Sequence, residues 1–317
     1  MTEDNESTET QDNNEAKVFD PKSIVEFFMK PMNAAIAGGS ALVVTCLIGG
    51  HIYGSGVAKD RLDKMLEDAG IRGAVKYQDV SYNPLGGALS ISGIKFQDFK
   101  LDEFVVHDYH FDDEDDELMV ELEFDGENIT VAELPNDMRK VLQKVGIKTT
   151  DVTGELYFDL DEGEIQFEFV IHLDGLAEVN FSTELTYDGK LADLFASGAI
   201  GAMMGMHSYF DDFSVVNLEL HLEDDGFMAA VKDSNDFEEP SDTEIKRLAE
   251  DAVRYFGLAN KKSDEYAEMV DSITDVIEDL DELHVEIDPD SPVTISKLIK
   301  YALQEKLADK ANVSVSS

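Results

Sequence analysis

The side chains most able to do chemistry gather in HDYHFDD, where His107 and His110 stand three positions apart beside Asp108, Asp112 and Asp113. Imidazole nitrogens with carboxylate oxygens nearby are the donor set of a zinc or related metal site. On a strand, however, residues three apart point to opposite faces, so one ion cannot take both imidazoles without a bend. The run DDEDDE over residues 112–117 could attract calcium loosely, but the nearest EF-hand-like register, through Glu121, Glu123, Asp125 and Gly126, places Ala132 where a bidentate glutamate is needed. These residues read as solvated histidines and a solvated loop, and no metal site is expected.

Other chemistries fare no better. Glu155, Asp159, Glu168 and Glu184 could pair as acid and base, yet with 69 acidic residues in 317 chance pairs are unavoidable, and exposed faces explain them. Gly189-Lys190 lacks the upstream glycine of a phosphate-binding loop, and Gly54-Ser55-Gly56 does not continue into a dinucleotide fingerprint. There is no G-x-S-x-G elbow, and the single cysteine, Cys46, lies in an apolar stretch, so no intrachain disulfide can form. The expectation is a protein that is not an enzyme and uses no cofactor. A formal charge of -44 argues against nucleic acid and against anionic lipid heads as partners. It suits solubility in a salty medium, or recognition of a basic partner.

Hydropathy patterning divides the chain. Residues 1–22 are polar and acidic, too poor in apolar groups to repay ordering, and are expected to be disordered. Within 23–58, an amphipathic lead-in precedes AAIAGGSALVVTCLIGGHIYGSGVA, residues 34–58, whose 25 positions hold no Asp, Glu, Lys or Arg. That length predicts a single transmembrane helix. Lys59, Arg61, Lys64, Arg72 and Lys76 after it outnumber Lys17, Lys22 and Lys30 before it, which leans toward a cytoplasmic C-terminal side. Leu62, Met65, Leu66 and Ala69 predict a juxtamembrane helix within 59–74.

From Val75 the period changes to two, predicting a β-rich domain over 75–222 with two inserted helices, ELPNDMRKVLQKVG and KLADLFASGAIGAMMGM. VVNLELHL then returns to alternation through Val216, Leu218, Leu220 and Leu222. Residues 223–317 predict a helix-rich C-terminal part: a helix opened by a Ser241/Glu244 capping box and closed at Gly257, a second over SDEYAEMVDSITDVIEDL, an extended return through 283–295, a helix over KLIKYALQEKLA and a last strand at NVSVS.

The strand EIQFEFVIHL puts Ile165, Phe167, Phe169, Ile171 and Leu173 on one face. With Phe181 from the next strand and Leu194, Phe195, Met203 and Met206 from residues 190–206, it could bound a groove for an acyl chain or other apolar ligand. Alternatively the helix simply fills the sheet's face. The fold expected is α+β: an extended curved antiparallel sheet covered on one face by helices and preceded by the transmembrane helix.

The order YQDVSYNPLGGALSISGIKF, then ELPNDMRKVLQKVGIKTTDVTGELYFDLDEGEIQFEFVIHLDGLAEVNFSTELTYDG, then VVNLELHLEDDGFMAAV, a helical pair and VEIDPDSPVTISKLI resembles bacterial envelope proteins of the AsmA-like and YdgA-like type over roughly residues 71–308. The resemblance implies an inner-membrane anchor, a periplasmic body, no enzymatic activity and a role in envelope integrity or lipid handling. A scaffold of an envelope complex, holding a protein partner through the acidic surface and the membrane helix, is the alternative. The long acidic tail, the charge and the Lys/Arg bias depart from that pattern, but a periplasmic body is still expected, because the basic residues after the span are mixed with Asp60, Asp63, Glu67 and Asp68.

Overall fold

Strict alternation of apolar and polar side chains leaves each strand one face to bury, and consecutive strands joined by tight turns bury it best side by side. The computed structural model describes residues 75–83, 88–96, 99–112, 117–130, 146–189, 211–233, 240–279 and 281–317, with short pieces between 59 and 73 and at 142–143. Its strands are β1 (Val75–Lys76), β2 (Asp79–Tyr82), β3 (Leu89–Phe96), β4 (Phe99–Asp112), β5 (Glu117–Thr130), β6 (Thr149–Asp161), β7 (Glu164–Leu173), β8 (Ala177–Tyr187) and β9 (Phe213–Asp224). Then follow helices α1 (Phe227–Lys232), α2 (Asp242–Tyr255) and α3 (Glu265–Asp279), strands β10 (Glu282–Ile287) and β11 (Val293–Thr294), helices α4 (Ile295–Leu303) and α5 (Leu307–Ala311), and strand β12 (Val313–Ser316).

The twelve strands among the described residues form one sheet in the order β1-β3-β4-β5-β6-β7-β8-β9-β10-β12, with β2 on β3 and β11 on β9. Every pairing is antiparallel. The β6–β7 hairpin turns on Glu162 and Gly163, both at positive φ (48° and 84°), the twist that a two-residue connection between right-twisted strands demands.

The apolar face runs through the register. Leu122, Leu156, Phe169, Phe181, Leu220, Val285 and Val315 are successive cross-strand partners from β5 to β12. At the first end, Ile91, Phe104, Val120, Leu122, Leu156 and Ile165 are buried together with Leu62. The short helical piece carrying Leu62 is tied down because the Tyr77 hydroxyl donates to Asp63 at 2.7 Å while the Arg72 guanidinium holds the same carboxylate at 2.7 Å. Burial and that carboxylate push the Tyr77 phenol far above its ordinary range. At the other end, Val253 of α2, Met269, Val270 and Val276 of α3 and Ala308 and Ala311 of α5 cluster with Val313 and Val315, and with the half-buried Leu283, Val285 and Ile287.

One expectation is corrected, the transmembrane helix, and with it the description as a single-pass membrane protein: among the described residues no helix is long and apolar enough to cross a membrane. The longest, α3, has 15 residues, or about 22 Å at about 1.5 Å per residue against a hydrocarbon core of about 30 Å. Segment 34–58, on which that expectation fell, lies outside the described residues. The structure is mostly a large antiparallel sheet, and the described C-terminal helices gather over β10 and β12, whose own strands extend the sheet. The two inserted helices expected to cover the rest of that face, ELPNDMRKVLQKVG and KLADLFASGAIGAMMGM, fall almost wholly outside the described residues.

Local signals explain the helix boundaries. Ser241 and Glu244 form the reciprocal capping box of α2, satisfying donors that the first turn leaves open. At its end Gly257, at φ +66°, lets the Leu258 N–H reach the Val253 carbonyl at 2.9 Å, and the chain reverses. The single helix expected over KLIKYALQEKLA is instead two, because Glu305 takes a left-handed conformation at φ +55° between α4 and α5.

Candidate functional site

Between the two sealed ends of the apolar face lies a strip whose side chains are only half-buried. β7 contributes Phe167 and Ile171, β8 contributes Val179 and Phe181, and β9 contributes Leu218 and Leu220. Register brings them together: Phe167 faces Thr183 and then Leu218, Ile171 faces Val179, and Phe181 faces Leu220. On the same face, between Phe167 and Ile171, Phe169 is only 3% exposed. The rings form a continuous aromatic run: Phe124 stacks on Phe169 at 6.3 Å between centroids, Phe169 on Phe167 at 6.5 Å, and Phe167 meets Phe181 edge-on at 5.9 Å. Thr183 is the polar interruption, and its hydroxyl is satisfied by the Asn217 carbonyl at 2.7 Å.

Of the seven apolar residues singled out from sequence, the structure therefore joins Phe167, Phe169 and Phe181. Leu194, Phe195, Met203 and Met206 lie outside the described residues. Val179, Leu218 and Leu220 complete the strip and were not singled out, because cross-strand register is invisible within any one strand. The phase of β9 also differs from simple alternation: a register shift between Glu184 and Leu185 brings Val215, rather than Val216, opposite Leu185, and Val215 is buried. The extra residue at a bulge turns the chain by one side.

A second bulge alters the histidine argument. The register shifts between Val106 and Asp108, so alternation does not carry through from His107 to His110. His107 Nε2 lies 2.8 Å from Glu123 Oε2 but outside hydrogen-bonding geometry, so the contact is an ion pair only when the imidazole is protonated. Among the described residues no group of three or more His, Cys, Asp or Glu is placed to hold a metal ion. Glu155, Asp159, Glu168 and Glu184 all sit on the polar face, three of them exposed and Asp159 half-buried. Glu155 faces Glu123 and Val170, and Asp159 and Glu184 both face Gln166.

The C-terminal helices offer a polar depression of about 70 Å³ lined by Glu250, Arg254, Lys261, Tyr266 and Glu305 among others. Its cations are already matched, Arg254 to Asp251 at 2.7 Å and Lys261 to Glu250 at 3.5 Å. Nothing there aligns a nucleophile with a base.

The polar face also carries like charges in register. Glu103 and Asp125 are cross-strand partners, and burial, then Glu103, Asp102 and Glu127, raise the Asp125 carboxyl above the usual range. A raised carboxylate means that the folded state holds its proton more firmly than the unfolded chain, so this group costs stability as pH rises through its folded range. Asp125→Asn is expected to stabilise the fold at neutral pH by roughly 0.5 kcal/mol. Thermal melts should show the gain shrinking at high salt and vanishing below the usual carboxylate range.

No protein-family model matches this chain, and a search of curated proteins finds no match.

Proposed function

We propose that this protein is a non-enzymatic binding protein that holds an apolar ligand of acyl-chain type against the half-buried strip of Phe167, Ile171, Val179, Phe181, Leu218 and Leu220. One observation carries the reading: a single apolar face spans the sheet from β5 to β12, both ends are packed into buried clusters, and between them Phe167, Ile171, Val179, Phe181, Leu218 and Leu220, around the buried Phe169, are left half-covered. Contiguous apolar surface at a rigid sheet is the chemistry of lipid and partner contact. The acidic polar face keeps such a complex soluble and repels anionic lipid heads, so selectivity falls on the chain rather than on a headgroup phosphate. Burying about ten methylenes at about 0.8 kcal/mol each gives roughly 8 kcal/mol before the cost of association, which places affinity at micromolar or weaker.

A fluorescent fatty acid titrated into the full chain tests this. Saturable binding, displaced by an unlabelled fatty acid, is expected. Phe181→Ser and Leu220→Ser together should weaken it at least about tenfold while the far-ultraviolet dichroism stays unchanged. No saturable uptake by the wild-type protein, or an affinity untouched by the paired change, defeats the proposal.

A further inference from the structure

The opposite, polar face holds a repeated pattern. ELHLE at residues 219–223 and ELHVE at 282–286 run antiparallel as β9 and β10. The register sets Glu219 against Glu286, His221 against His284 and Glu223 against Glu282, so two imidazoles stand side by side with a carboxylate at each of four corners. We propose that this cross-strand pair binds one divalent transition-metal ion of the zinc or copper class through His221 and His284.

Three observations support the site. First, the geometry is within reach. With a metal–nitrogen bond of about 2.0 Å and a ring centroid about 1.2 Å beyond, two imidazoles on one ion sit about 5.2 Å apart in tetrahedral coordination and about 6.4 Å apart when trans. The His221 and His284 centroids are 6.1 Å apart, so trans coordination fits nearly as placed and tetrahedral coordination needs the rings to close by about 1 Å. Second, Glu282 Oε1 lies 3.4 Å from His221 Nδ1. A small rotation makes that the carboxylate–imidazole hydrogen bond that leaves Nε2 with its lone pair outward, the usual support of a metal-bound histidine. Third, glutamates directly opposite one another repel, and Glu223 faces both Glu282 and Glu178 of β8. A dication among them relieves that repulsion.

Among the described residues no third ligand joins the pair, so water completes the shell and the carboxylates act by charge and orientation. Nitrogen donors select zinc, copper or nickel over calcium and magnesium, which prefer oxygen. This selectivity separates a built site from the diffuse cation atmosphere of a chain with charge -44. The site is independent of the apolar strip, which lies on the other face.

Calorimetric titration of the full chain with Zn²⁺, in about 0.15 M salt and excess Mg²⁺, tests the proposal. One equivalent should bind. His221→Gln and His284→Gln should each weaken binding at least about tenfold, and the double variant should abolish it, whereas His107→Gln and His172→Gln leave it unchanged. Binding that Mg²⁺ displaces, or that survives in the double variant, overturns the site. Copper bound to the wild-type chain gives a second readout independent of variant folding: its electron paramagnetic resonance should show coupling to two imidazole nitrogens, and one or none also overturns the proposal.

Discussion

Replacing Phe169 with alanine is expected to lower the unfolding free energy by about 3–5 kcal/mol, while the same change at Phe167 costs less than half as much. Phe169 is only 3% exposed and lies between the Phe124 and Phe167 rings. Its cross-strand partners are Leu156 and Phe181, so truncation leaves a cavity that three strands must collapse to fill. Phe167 is half-buried and already shares its surface with its surroundings. Urea unfolding measures both. Equal losses would mean that burial does not distinguish the packed base of the aromatic run from its half-covered rim, and the strip would lose its meaning as a site.

Gly257→Ala is the second large effect, roughly 3 kcal/mol. Two costs coincide there. Gly257 sits at φ +66°, where a side chain is strained, and an added Cβ would press into the backbone of Ala302 in α4. The same residue anchors the next element, since its carbonyl accepts from the Leu307 N–H at 3.3 Å and Leu258 accepts from Ala308 at 2.8 Å. Displacing it pries α5 from α2 and loosens the cluster over β12. Gly175→Ala is the control: φ is nearly the same, +65°, but nothing lies within 4 Å, so only the backbone strain of about 1 kcal/mol is expected. Hydrogen exchange should report faster opening of α3, α5 and β12 in the first variant and not in the second. Similar losses for the two glycines would show that backbone strain alone, without the Ala302 contact, sets the cost at this turn.

What could be read from sequence was local. Alternation in GELYFDL, EIQFEFVIHL and AEVNFSTELTY marks strands because period two is a property of each strand by itself. The capping box at Ser241 and the stop at Gly257 are equally local, since one turn of helix settles them. The strip was only partly legible. Phe167, Phe169 and Phe181 stand out within their own strands, but Leu218 and Leu220 join them only through the pairing of β8 with β9.

Register shifts interrupt alternation at three places among the described strands. At Val106/Asp108 and at Glu184/Leu185 no nearby glycine or proline announces the shift, whereas the third, between Gly126 and Ile129, follows a glycine. The break at Glu305 was hidden for a related reason: KLIKYALQEKLA has helical periodicity throughout, and a left-handed glutamate interrupts it where the chain turns from α4 into α5. ELHLE and ELHVE recur in the chain, but nothing in the sequence marked them as a pair, because they meet only when β10 returns beside β9 after a connection that contains three helices.

Photocrosslinking most directly tests whether the middle of the apolar face is where a ligand sits. A fatty acid bearing a diazirine along its chain, activated with the full-length protein and followed by peptide mapping, should label β7, β8 and β9 at Phe167, Val179, Phe181 or Leu220, with labelling suppressed by excess unlabelled fatty acid. Labelling confined to the polar face, or spread over the chain and indifferent to the competitor, would contradict the account.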